Sequence, residues 1–64
     1  MNYYICYNGK FIAMRKSIGA ALNLIKRKGF KDDRHNQLYL IDGNGDTYNP
    51  STGAVIEWLM GEWP

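Results

Sequence analysis

Asp42, Asn44 and Asp46 place side-chain oxygens at alternate positions of a Gly-containing run, the spacing with which a calcium loop opens. The match stops there. Thr47 stands sixth, where the sharp turn needs Gly, and Gly53 stands twelfth, where a bidentate Glu is needed. Asn, Asp and Gly are also the residues of any tight turn, so the run is read as a hairpin connection and no metal site is expected. His35 follows Asp33 closely, but general acid–base work needs an oriented partner and a concave pocket, and a lone His in a polar stretch is read as solvated. Cys6 lies between Ile5 and Tyr7 with no basic neighbour and is read as a small inert hydrophobe. With one Cys and one His there is neither an internal disulfide nor a zinc-ligand set. No Ser-His-Asp set, phosphate-cradling loop or carboxylate pair can be assembled. Neither enzymatic activity nor a cofactor is expected.

Binding chemistry is better represented. Nine aromatics (Tyr3, Tyr4, Tyr7, Phe11, Phe30, Tyr39, Tyr48, Trp58, Trp63) in 64 residues exceed what one small core needs. Tyr and Trp are favoured at protein interfaces, where they bury area and keep a polar tip. Rings beside cations can instead stack bases. The cations available for that use are Lys10, Arg15, Lys16, Lys26, Arg27 and Lys28. Charge is segregated along the chain: seven bases and no acid up to Lys31, then six acids and one base, or +7 against −5, within a net charge of +2. Such asymmetry points to an electrostatic partner, or to two halves that attract each other when folded. The acids Asp42, Asp46, Glu57 and Glu62, expected on the same sheet, oppose a phosphate backbone.

These residues must be positioned by very few elements. Hydrophobic residues make up 45% and charged residues 22%, proportions of a globular chain and too apolar for intrinsic disorder. A chain of 64 residues makes one domain with a small core. No apolar run is long enough to span a membrane and Met1-Asn2-Tyr3-Tyr4 lacks a charged leader start, so a cytoplasmic protein without membrane contact is expected.

Two β-prone runs flank Asn8-Gly9, the strongest short-range hairpin signal, which predicts a hairpin over 3–14. A two-residue loop pairs Tyr7 with Lys10, Cys6 with Phe11, Ile5 with Ile12 and Tyr3 with Met14. One face then carries Tyr3, Ile5, Tyr7, Ile12 and Met14, the other Tyr4, Cys6, Phe11 and Ala13, and both are apolar. Ser17 caps a helix over 17–28 with Ile18, Ala21, Leu22 and Ile25 at helical spacing; Gly29 ends it, and Phe30 folds back on Ile25. Strands are predicted over 37–42, 46–49 and 54–60, with Asn44-Gly45 as the turn between the first two and a glycine-closed turn over 49–53. A helix capped by Ser51 or Thr52 competes for the last segment. The result is an α+β domain, ββαβββ, with a four- or five-stranded antiparallel sheet and one helix on one face. Its core is expected to hold Ile5, Ile12, Ile18, Leu22, Ile25, Phe30, Leu38, Leu40 and Ile56.

In its hairpin (3–14), helix (17–28) and following strands, the chain resembles the small accessory and inhibitor proteins of bacteriophages, anti-CRISPR proteins among them. The resemblance is one of style and transfers no individual residue. It implies a non-enzymatic domain that inhibits or regulates a larger host protein by occluding its surface. One helix covers one sheet face, so the expected contact surface is the other, with Tyr4 and Phe11 as anchors and Tyr3, Tyr7, Lys10 and Trp58 at edge or rim. A nucleic-acid binder using the six cations is the alternative. A core this small also leaves room for a homodimer.

Overall fold

The computed structural model describes residues 1–56. Its elements are β1 (Tyr3–Tyr7), β2 (Lys10–Arg15), α1 (Ile18–Lys28), β3 (Leu38–Asp42) and β4 (Thr47–Tyr48). The four strands form one antiparallel sheet in the order β2-β1-β3-β4, and α1 packs over β1 and β2. This is the expected α+β architecture. Val55 adds an isolated antiparallel bridge to Tyr48, and the Ile56 amide donates to the Thr47 carbonyl at 2.8 Å. The rest of the strand expected over 54–60, like Trp58 and Trp63, lies outside the described residues.

Local chemistry accounts for the element ends. Asn8 and Gly9 take φ values of 52° and 79°, the left-handed pair that matches the twist of a two-residue hairpin. Ser17 is extended and its Oγ accepts the Ala20 amide at 3.2 Å, capping α1. At the other end Gly29 is left-handed, with its amide donating to the Lys26 carbonyl and that of Phe30 to the Ile25 carbonyl, both at 3.2 Å. That pair of bonds is the Schellman motif.

Three expectations need correction. The hairpin carries a bulge, so Ile5 pairs with Ala13 rather than Ile12, Tyr4 with Met14, and Tyr3 with Arg15. Ala13 and Met14 therefore exchange faces: Ala13 turns to the helix beside Ile5, and Met14 turns away with Tyr4. The β3–β4 turn is centred on Gly43-Asn44, not Asn44-Gly45. The Gly45 amide donates to the Asp42 carbonyl at 3.1 Å, and Gly45 alone is left-handed, at φ 88°. Asp42 imposes this form because its Oδ1 accepts the amides of Asn44 (2.8 Å) and Asp46 (3.1 Å). Ile56 is 40% exposed and outside the core, because the alternation that turns Val55 with Tyr48 turns Ile56 with Thr47, away from α1.

The core consists of Ile5, Ala21, Leu24, Ile25, Leu38 and Leu40, with Ile12, Ile18, Leu22 and Phe30 packed around it half-buried. Ile5 and Leu40, directly opposite on β1 and β3, are fully buried. Ala21, Leu24 and Ile25 are the positions of α1 buried in this core.

Candidate protein-binding face

Strand pairing fixes what lies on the sheet face opposite α1. Cys6 is flanked by Phe11 and Tyr39, Tyr4 by Met14 and Ile41, and Ile41 by Thr47. Among the described residues, no strand position on this face carries a charge. Antiparallel sheets with one solvated face ordinarily alternate apolar-in with polar-out, and here the side of β1, β2 and β3 away from α1 is apolar as well. Phe11 is 63% exposed, Tyr39 45% and Met14 37%, while Tyr4, Cys6 and Ile41 are half-buried among them. Tyr4 and Phe11 lean together with ring centroids 6.4 Å apart and planes tilted by 52°. The two expected anchors thus sit side by side, joined by Tyr39, Met14 and Ile41, which the sequence reading did not assign. For Tyr39 and Ile41 part of the signal was present, since they alternate with Leu38, Leu40 and Asp42 and leave β3 without a polar outer side; Met14 reached this face only through the bulge.

Tyr3 and Tyr7 lie on the helix side. Tyr3 meets Tyr48 edge-on at 5.5 Å, and Tyr7 stacks on Phe30 at 4.2 Å, so these rings extend the core instead of the open face. Lys10 is exposed beside the hairpin turn, opposite Tyr7. Trp58 lies outside the described residues.

The polar side chains with defined partners serve the loops. Asp42 is buried, and its Oδ2 accepts the Tyr48 hydroxyl at 2.7 Å while Oδ1 holds the turn amides. The Tyr48 hydroxyl, with the Asn44, Asp46 and Gly45 amides, holds the Asp42 carboxyl below its ordinary range; the same carboxylate pushes Tyr48 up to about 12. Both carboxylate oxygens of Asp42, the first of the calcium-loop-like positions, are spent on this turn. Asp33 Oδ1 accepts the backbone amides of His35 (2.8 Å) and Asn36 (2.9 Å), which lowers its pKa, with the His35 bond the larger cause. The contact from His35 to Asp33 is through backbone, so no acid–base dyad forms there. Among the described residues, no group of three or more His, Cys, Asp or Glu side chains is gathered as a metal site would require. No described helix is long and apolar enough to cross a membrane.

The cations divide. Arg15 from β2 shares a cleft of about 430 Å³ with Leu24, Arg27 and Lys28, and an adjoining one of about 410 Å³ with Lys26 and Arg27. Lys16 is exposed on the β2–α1 connection, and Lys10 lies at the far end of β2. No ring lines either cleft. Comparison of the chain with protein families, with curated proteins and with solved structures finds no match.

Proposed function

We propose that this protein is a non-enzymatic binding module whose open sheet face docks on a larger partner protein. In keeping with the phage-like style of the chain, its action is inhibition or regulation by occluding the partner's surface. The supporting observation is the uncharged apolar face of Tyr4, Cys6, Phe11, Met14, Tyr39 and Ile41, lying opposite the only described helix. Contiguous apolar surface of this kind marks interaction sites on small soluble domains. Aromatic and Met side chains are the types enriched at the buried centre of protein interfaces. Binding there would displace water from rings that the core does not use, and the absence of charge on the face removes the cost of burying one.

A photo-cross-linking residue at position 11, compared with one at the exposed helix position Asn23, tests this in lysate of the host cell. Capture of a protein from position 11, absent from Asn23 and lost when Tyr39→Ala is added, is the expected result. Equal capture from both positions, or none from position 11, contradicts it.

A further inference from the structure

We infer that the basic cleft between β2 and the C-terminal turn of α1 receives an acidic stretch of the partner protein, rich in Asp or Glu. The inference rests on the binding-module reading for its use in the cell and adds the chemistry of the partner. Lys26, Arg27 and Lys28 alone would need no such explanation, since cations in a last turn complement the helix dipole. Two observations go further. The carbonyls of Ile25 and Lys26 are already taken by the Phe30 and Gly29 amides, so these two do not call on the cations as capping donors. Arg15 reaches the same place from another element, and both clefts include Arg15 and Arg27. Gathering like charges across a strand and a helix raises the local positive potential, which an anion offsets.

An acidic peptide fits better than nucleic acid. Phosphate backbones are followed along a basic track, with rings to stack the bases. Here the cluster is short, Asp32 and Asp33 follow Lys31 soon after the helix ends, and the exposed rings lie on the other sheet face. Leu24 lines one of the two clefts and Ala20 the other, and Arg forks match carboxylates bidentately. A partner seated on Phe11 and Met14 has only to wrap the β2 edge to reach Arg15.

The test uses the full chain at low ionic strength, a fluorescein-labelled hexaglutamate peptide and, in parallel, labelled hexathymidylate. Hexaglutamate is expected to shift the amide resonances of Arg15, Leu24, Arg27 and Lys28. Arg15→Glu and Arg27→Glu should each weaken its binding about tenfold. Lys10→Glu makes the same change in charge outside the cleft and should leave binding within about twofold. Equal weakening by Lys10→Glu, absence of peptide binding, or tighter binding of hexathymidylate through the same residues would each overturn the inference. Phe11→Ala should not alter peptide binding, so failure of the cleft and failure of the open face are read separately.

Discussion

At Gly53 the backbone sits at φ 80°, and a methyl group added there would meet Leu22 Cδ1 at 2.9 Å. Gly53→Ala is therefore expected to cost about 1–3 kcal/mol, measured by chemical denaturation, from left-handed strain and a clash with α1 together. Gly19 is the opposite case: a methyl there meets nothing within 4 Å, and the helix gains propensity. Gly19→Ala should stabilise by about 0.5–1 kcal/mol. The Asp42–Tyr48 bond sets a pH window. Asp42 is depressed from 3.8, so its contribution is complete above that pH and is lost as pH falls through the lower folded value. Tyr48 is raised from 10.0 to about 12, so its contribution is complete below pH 10 and is lost as pH rises towards 12. Tyr48→Phe should flatten the alkaline loss in a series of unfolding curves; an unchanged alkaline limb would mean that the hydroxyl bond is not made in solution.

Among the elements, α1 divides the sheet into a face that carries stability and a face that does not. Ile5→Ala or Leu40→Ala should cost about 2–5 kcal/mol, since both side chains are fully buried. Phe11→Ala on the open side should stay within about 0.5 kcal/mol of the parent. Comparable losses at Phe11 and Leu40 would mean that something covers the outer face. Much of this was legible in the residues. Asn8-Gly9, Ser17 and Gly29 each require one backbone geometry, so the hairpin turn, the helix start and the helix end could be placed. The bulge could not, because Ile12, Ala13 and Met14 are all apolar and their pattern suits either register. The β3–β4 turn was misplaced by one residue because the choice depends on which amides Asp42 accepts. Of the candidate site, Tyr4 and Phe11 were readable from hairpin alternation. Tyr39 and Ile41 became neighbours of Cys6 and Tyr4 only through β1–β3 pairing, which no local signal specifies. Tyr3 and Tyr7 were drawn inward by Tyr48 and Phe30, contacts across long sequence separations.

On the scale of the whole molecule, the segregation of charge along the chain is carried only partly into space. Six of the eight bases occupy β2, α1 and the connection between them, while Lys31 and Arg34 share the loop after α1 with Asp32 and Asp33; the other described acids, Asp42 and Asp46, sit at the β3–β4 turn. The sheet face away from α1 carries no charge at its described strand positions and holds the exposed rings of Phe11 and Tyr39. The described residues thus present an apolar patch on one sheet face and a basic cleft beside β2, the layout on which the proposed binding function rests. The most direct check is proton relaxation by a soluble gadolinium chelate in the full-length protein, read at Phe11, Met14 and Tyr39 and at the methyl groups of Ile5 and Leu40. Strong relaxation of the first three beside shielded Ile5 and Leu40 is expected of an open face. Phe11, Met14 and Tyr39 as protected as Ile5 and Leu40 would contradict it.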